Sequence, residues 1–319
     1  MSDSAAPEIP AALRALMAEI GPKWGKPGAP PVSQSVQLMM ARFSEVLAGA
    51  PDDGVEETCD IAYAGVDPRQ VLDVHRPGPP MGSKREAGAP SDPAPVVIFV
   101  HGGAFTDGEK ARTPQIYANV SRFFARHGVL GVNMEYRQAP KWGYPAGTED
   151  VALAVKWARE NIARFGGDAE RIFIIGQSAG GAHTGSYAYD KRRHPAGGPG
   201  IAGHIVISGR VRADNLPQNP NARRVEAYYG TDNSRFDDLS PVSHVGPDSV
   251  PTFIAIAEYE NPLIDVHCAE LCWRLGKAKG RTPPFMQLRG HNHASIIAHF
   301  NTAEDDLGRA LLDFIDNPR

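Results

Sequence analysis

Short apolar segments alternate with amphipathic ones along most of this chain. Apolar runs bounded by turn residues are typical of strands buried on both faces of a sheet. The predicted strands of this kind are Val96–Val100, Val129–Met134, Ile172–Ile175, Ile201–Ser208, Val250–Ala257 and Phe285–Leu288. The predicted helices between them are Tyr117–His127, Val151–Phe165, Ile264–Leu275 and Ala303–Ile315. This alternation predicts an α/β fold, in which helices cover both faces of a mostly parallel sheet.

The first 50 residues have a different pattern. Two helical segments, Pro10–Ile20 and Ser33–Leu47, flank a loop rich in Gly and Pro at Gly21–Pro31. The second segment has its apolar residues on one face, as expected for a helix packed against a larger body. We therefore predict that residues 1–50 form an N-terminal helical arm, which packs on the sheet or partly caps a site at its edge.

Residues 51–319 are predicted to form one large domain. It begins with two strands, Glu57–Ala64 and Gln70–His75, and the segment Pro77–Pro95 is predicted to be an exposed loop. A moderate interval at about 210–249 separates two of the later strands and predicts a small insertion.

Composition narrows the range of functions. The chain has 319 residues and a net charge of -4, which gives no electrostatic footprint for nucleic acid or an anionic membrane. The N-terminus lacks a basic region followed by an apolar stretch, and no apolar run reaches membrane-spanning length, so we expect a cytoplasmic location. Three cysteines argue against a disulfide framework, and no set of metal ligands with suitable spacing is evident.

The clearest chemical signal follows the strand at Ile172–Ile175. The sequence there is Gly176-Gln-Ser178-Ala-Gly180, and a segment compatible with a helix comes next. A strand, a sharp turn with this Gly-x-Ser-x-Gly pattern and a helix are typical of a nucleophile elbow. Ser178 is therefore the predicted nucleophile.

A serine hydroxyl needs a base, and an oxyanion needs hydrogen-bond donors. His101-Gly-Gly-Ala stands at the end of an earlier strand, where small residues leave backbone N–H groups accessible. We expect the oxyanion donors to be the amides of Gly103 and Ala104, together with that of Ala179 after the nucleophile.

These motifs together resemble those of a known family. His101-Gly-Gly-Ala-Phe105, Glu135-Tyr-Arg-Gln-Ala-Pro140 and Gly-Gln-Ser-Ala-Gly-Gly are similar to motifs of the hormone-sensitive-lipase-like esterases. Bacterial carboxylesterases and kynurenine formamidases are related to the same group. The resemblance extends from about Asp73 to the C-terminus and implies the α/β-hydrolase fold with a small lid insertion. The chain departs from the family pattern at Ala104, where a third glycine is common, and at Gln177, where Asp is frequent.

The acid that orients the base should follow the strand ending at Ala257. Two glutamates, Glu258 and Glu260, stand there. In the formamidase-like relatives this stretch resembles Glu-aromatic-Asp-Ser-Pro, which aligns Glu260 with the aspartate. The resemblance therefore implies Glu260 as the orienting acid, with Glu258 as the rival.

The base is expected on the loop after the last strand, where His291 and His293 both lie. Composition does not choose between them. The family resemblance favours His293, which is the fourth residue of Gly290-His-Asn-His and precedes Ala-Ser-Ile-Ile. A metal site formed by the two histidines would need a third ligand, and none of fitting spacing is evident.

The predicted function is hydrolysis of short-chain or small aromatic carboxylic esters by a serine carboxylesterase, without cofactor or metal. An arylformamidase with the same machinery is the alternative, and a non-catalytic ligand-binding protein on the same fold is a more distant one. The expected partner is a small-molecule ester, with no nucleic acid or membrane, and a homodimer is possible. Phe105, Trp142 and His291 are the residues predicted to contact the substrate.

Overall fold

An eight-stranded sheet runs through the centre of the part of the chain that the structure describes. The computed structural model describes residues 6–51, 54–78 and 92–319. The strands are β1 (Val55–Ala62), β2 (Val71–Pro77), β3 (Ala94–Val100), β4 (Leu130–Met134), β5 (Gly167–Gln177), β6 (Gly203–Ile207), β7 (Thr252–Tyr259) and β8 (Phe285–Asn292). They lie side by side in the order β1-β2-β4-β3-β5-β6-β7-β8.

The direction of the strands confirms the predicted fold class. β2 is antiparallel to both β1 and β4, whereas the strands from β4 to β8 all run parallel to their neighbours. The carboxyl ends of the parallel strands therefore meet at one edge of the sheet, which is where ligands bind in open α/β sheets.

Helices cover both faces of the sheet. They are α1 (Ala11–Ile20), α2 (Val32–Leu47), α3 (Ala118–Arg126), α4 (Ala146–Asn161), α5 (Ala179–Tyr189), α6 (Ala222–Tyr229), α7 (Phe236–Leu239), α8 (Ile264–Lys279), α9 (Ser295–Ala298) and α10 (Asp306–Asp316). Side chains of β3 alternate between the two apolar layers. Val97 and Phe99 pack with α1–α3 and α10, while Val96, Ile98 and Val100 pack with α4 and α8.

The N-terminal arm packs against the C-terminal part of the chain. α1 lies against β8, and α2 lies against α9. The buried face of α2 lies in the same apolar layer as residues of α3 and α10, and it consists of Met39, Met40, Phe43 and Leu47. The ion pair between Arg14 and Glu304, 2.8 Å, adds a polar link at this contact.

Some boundaries differ from those predicted, because tertiary contacts extend or shorten elements. The helix predicted over Val151–Phe165 is α4, which begins at Ala146 and ends at Asn161. A 3₁₀ turn follows α4 and stops before Gly166, whose φ is 86°. β8 continues to Asn292, beyond the predicted end at Leu288, since Asn292 still pairs with Tyr259.

A loop and a small insertion were also predicted from the sequence. The loop predicted over Pro77–Pro95 is described only at its ends, where β2 stops at Pro77 and β3 begins at Ala94, and residues 79–91 lie outside the described residues. The interval at 210–249 contains α6, α7 and short 3₁₀ turns. The insertion is therefore small and helical, and it lies beyond the carboxyl end of β6.

Candidate active site

Ser178 occupies a strained turn between β5 and α5. Its φ of 54° and ψ of -119° are unusual for a residue with a Cβ atom. The flanking glycines allow the close approach that this turn requires. A Cβ on Gly176 would lie 2.1 Å from the hydroxyl of Thr184, and one on Gly180 would lie 2.1 Å from the carbonyl oxygen of Val100. The local sequence thus forces the serine hydroxyl out at the carboxyl edge of the sheet.

Three predicted residues meet at this edge through two hydrogen bonds. The distance from His293 Nε2 to Ser178 Oγ is 3.0 Å, and that from His293 Nδ1 to Glu260 Oε2 is 2.6 Å. An ionised carboxylate only accepts hydrogen bonds, so Nδ1 carries the proton and donates to Glu260. Nε2 is then left to accept the hydroxyl hydrogen of Ser178. This arrangement can remove a proton from the hydroxyl and stabilise the resulting imidazolium.

Glu260 is buried and its second oxygen is held by two further donors. Oε1 accepts a 2.7 Å hydrogen bond from the amide of Ala257 and another from the hydroxyl of Ser208. Ser208 was not among the residues predicted for the site from the sequence. The available signal was its position at the carboxyl end of a predicted strand, which is shared by many residues without such a role.

The rival acid lies elsewhere. Glu258 Oε2 accepts a 2.7 Å hydrogen bond from the amide of Gly290, and the residue is exposed. It therefore braces the turn within β8, and it makes no hydrogen bond to His293 among the described residues.

Two of the three predicted oxyanion donors, Gly103 and Ala104, lie on a turn with three consecutive positive φ angles. These are 143° at Gly103, 51° at Ala104 and 73° at Phe105. A Cβ on Gly103 would lie 1.7 Å from the carbonyl oxygen of Asp107, so only glycine fits there. Within the described residues, the amides of Gly103, Ala104 and Ala179 have no hydrogen-bond acceptor. Their N–H groups are thus available to an oxyanion.

His101 anchors the start of this turn and does not face the serine. Its Nδ1 lies 2.6 Å from the carbonyl oxygen of Gly102, and its Nε2 lies 2.9 Å from Glu135 Oε1. Burial acts to raise the pKa of Glu135, but the charge and hydrogen bond of His101, together with Arg69, bring that pKa below its usual value. Glu135 therefore stays ionised and holds the turn in place.

A cavity of about 310 Å³ opens above Ser178. Its floor contains Ser178, His293 and the oxyanion turn. One wall comes from α2 and the residues just before it, including Val32, Val36 and Met40. The segment at 210–249 also lines the cavity, through Pro220, Asn221 and Arg224. Residues from both the N-terminal arm and this segment therefore contribute to the cavity lining.

The three residues predicted to contact substrate do not line this cavity in the described structure. Phe105 is 1% exposed and stacks on Tyr228 with ring centroids 4.6 Å apart. Trp142 donates a 2.8 Å hydrogen bond to Asp67, away from the cavity. Phe105 is thus packed into the core, and the indole of Trp142 braces Asp67.

His291 belongs to β8 and faces the arm. Its Nε2 lies 2.7 Å from Glu304 Oε1, and its Nδ1 lies 3.1 Å from the hydroxyl of Ser295. The hydrogen bond to His291 is the main cause that lowers the pKa of Glu304 to about 2. His291 therefore supports the segment that carries His293, and it is not among the residues that line the cavity.

Neither a metal cluster nor a membrane-spanning helix is found among the described residues. No group of three His, Cys, Asp or Glu side chains in the described part of the chain is arranged to hold a metal ion. Among the helices described, none is both long and apolar enough to cross a bilayer.

The chain resembles known esterases over most of its length. The BD-FAE family model matches residues 87–194. Esterase LipQ of Mycobacterium tuberculosis is 30% identical over 256 residues, which is 76% of this chain and 58% of LipQ. Esterase LipI of the same organism is 30% identical over 245 residues, which is 67% of this chain and 73% of LipI.

The chain belongs to the hormone-sensitive-lipase-like family of α/β-hydrolases. It spans less than two thirds of LipQ's own length. The fold agrees with this assignment, because the structure of a Pyrobaculum calidifontis esterase superposes with a TM-score of 0.68 at 20% identity, covering 96% of this chain and 97% of that one.

Departures from the common hormone-sensitive-lipase-like pattern are accommodated without rearranging the site. Ala104 adopts a φ of 51°, so its methyl group does not prevent the turn. Gln177 is buried, and its amide nitrogen lies 3.4 Å from the carbonyl oxygen of His293. It thus contacts the backbone of the His293 segment directly, one residue before Ser178.

Proposed function

We propose that this protein is a serine carboxylesterase that acts on small carboxylic esters through an acyl-enzyme. The observation that carries the proposal is the continuous hydrogen-bonded line from Ser178 through His293 to Glu260. The esterase names of relatives in the hormone-sensitive-lipase-like family support the same activity.

In the proposed reaction, Ser178 Oγ attacks the ester carbonyl carbon while His293 Nε2 accepts the hydroxyl proton. The buried carboxylate of Glu260 stabilises the imidazolium that forms. The carbonyl oxygen becomes an oxyanion, which accepts hydrogen bonds from the amides of Gly103, Ala104 and Ala179. His293 then returns the proton to the leaving alcohol. Water, activated by the same imidazole, attacks the acyl-enzyme and releases the acid.

Glu260→Gln should lower kcat by about 10³–10⁴-fold, as removal of the charge does in serine-protease triads. The amide keeps the shape of the side chain but cannot stabilise the imidazolium, and it can favour the wrong tautomer of His293. Glu258→Gln is the matched control, since it removes the same charge two residues away and should cost much less. Steady-state kinetics on p-nitrophenyl acetate measure both. A larger loss in Glu258→Gln would transfer the role to Glu258.

Hydrolysis of p-nitrophenyl esters should be fastest for acyl groups from acetate to hexanoate. The cavity has a volume of about 310 Å³, at the lower end of the range for ligand pockets, which leaves little room for a long chain. The measurement is kcat/KM across a series from acetate to palmitate. A maximum at dodecanoate or longer, or interfacial activation on emulsified triglycerides, would contradict this expectation.

N-formylkynurenine belongs in the same substrate panel, because an arylformamidase would use the same triad. We expect ester hydrolysis to exceed formamide hydrolysis, since an alcohol leaves more readily than an amine. Preference for N-formylkynurenine would instead assign the amidase activity. Failure of the folded protein to react with any activated ester or fluorophosphonate would favour a binding protein on this fold.

A further inference from the structure

The cavity above Ser178 carries more positive than negative charge. Among the described residues, three charged side chains line it apart from the catalytic histidine: Asp107, Arg112 and Arg224. Asp107 and Arg112 form an ion pair, with Oδ1 and Nη1 3.1 Å apart. The charges of this pair compensate each other, so Arg224 contributes the excess positive charge.

Arg224 points into the cavity from the insertion. It lies on α6, three residues after Asn221, and residues at that spacing share one face of a helix. The side chain is half-buried. Across residues 6–51, 54–78 and 92–319, no carboxylate forms an ion pair with its guanidinium, and no acceptor forms a hydrogen bond with it.

Asp107, the one carboxylate among the described residues that line the cavity, forms no ion pair with Arg224. Asp107 is held by Arg112. Burial acts to raise the pKa of Asp107, but hydrogen bonds from Gly108 and Arg112 and the positive charges of Arg112 and Arg224 bring that pKa below its usual value. A half-buried guanidinium with five donors and no anionic partner is suited to bind an anion that enters the cavity.

We propose that Arg224 binds a carboxylate on the substrate, and that the preferred substrates are small esters with a carboxylate on the acyl or the alcohol part. This inference rests on the proposed esterase function. The guanidinium can hold a carboxylate through two parallel hydrogen bonds, which orients the ester as well as attracting it. The apolar wall formed by Val32, Val36 and Met40 would contact the hydrocarbon between the carboxylate and the ester.

The test compares esters that differ only in this charge. On the acyl side, the pair is mono-p-nitrophenyl glutarate and its methyl ester. On the alcohol side, the pair is 4-acetoxybenzoate and its methyl ester. We expect kcat/KM to favour the charged member of one pair, mainly through a lower KM. Arg224→Gln should reduce that preference about tenfold to hundredfold, as for loss of a charge-assisted hydrogen bond, and Arg224→Lys should retain part of it.

Arg223→Gln is the matched control. Arg223 is exposed on the same helix and is not among the residues that line the cavity, so its loss removes the same charge from the surface. It should leave activity and both preferences unchanged. Equal use of the charged and neutral members by the wild type would overturn the proposal, as would an equal effect of Arg223→Gln and Arg224→Gln.

A binding measurement separates this inference from the esterase proposal. Calorimetry on Ser178→Ala, with and without Arg224→Gln, measures the affinity for each ester without turnover. Tighter binding of a charged ester, lost with Arg224, would support the anion site even if the wild type hydrolysed none of them. Equal affinities for the charged and neutral members would overturn it even in an active esterase.

Discussion

Replacing Ser178 with alanine should abolish ester hydrolysis, with kcat reduced by several orders of magnitude and up to about 10⁶-fold. The substitution removes one oxygen atom, which among the described residues is the hydroxyl that contacts His293 Nε2. Residual hydrolysis would come from the oxyanion donors acting on bound ester and water. The measurement is kcat on p-nitrophenyl acetate.

Ser178→Ala should fold as the wild type does. The φ of 54° at this position is imposed by the flanking glycines and the packing of β5 against α5, and alanine adopts it at a similar cost. Thermal unfolding and circular dichroism would confirm this. A fluorophosphonate should add mass to the wild-type peptide that contains Ser178 and to no other peptide. Retained activity, or a label on another serine, would show that the nucleophile lies elsewhere.

His293→Ala should lower kcat nearly as much, because the nucleophile and its base act as a unit. A general base alone contributes typically about 10²–10⁴-fold, and more when it activates a nucleophile. In this site, His293 is hydrogen-bonded to both Ser178 and Glu260, so no other described side chain can replace it. Near-normal turnover in His293→Ala on p-nitrophenyl acetate would refute the assignment.

His291→Ala is the matched control for His293→Ala, since it removes the same side chain two residues away. It breaks the hydrogen bonds to Glu304 and Ser295, which support the segment after β8. We expect reduced stability and a measurable fraction of the wild-type kcat. A loss equal to that of His293→Ala, in a protein that still folds, would mean that the position of the base depends fully on this support.

Local chemistry made several features predictable from the sequence. The elbow could be predicted because its two glycines and its serine are consecutive along the chain, so the constraint is contained in five residues. The central strands could be predicted because burial on both faces requires continuous apolar runs. The buried face of α2 followed in the same way from its helical spacing.

From the residues alone, the orienting acid and the base could each be narrowed only to two candidates. Glu258 and Glu260 both come directly after the predicted strand Val250–Ala257. His291 and His293 both come shortly after the predicted strand Phe285–Leu288. The resemblance to related esterases favoured Glu260 and His293, and the structure brings these two together with Ser178. The other two candidates have different partners: Glu258 accepts a hydrogen bond from Gly290, and His291 contacts Glu304. These partners are far away in sequence, so residue type alone does not predict them.

The sequence by itself determined the α/β fold class, the elbow and the small residues of the oxyanion turn, because each depends on neighbouring residues. Only the tertiary structure decided what surrounds the substrate. The cavity walls come from α2 and α6, which are far apart in sequence, and aromatic residues close to the motifs pack into the core instead. Which side chains face a cavity depends on how separate helices pack over the sheet edge. That packing also leaves Arg224 in the cavity wall and Arg223 exposed.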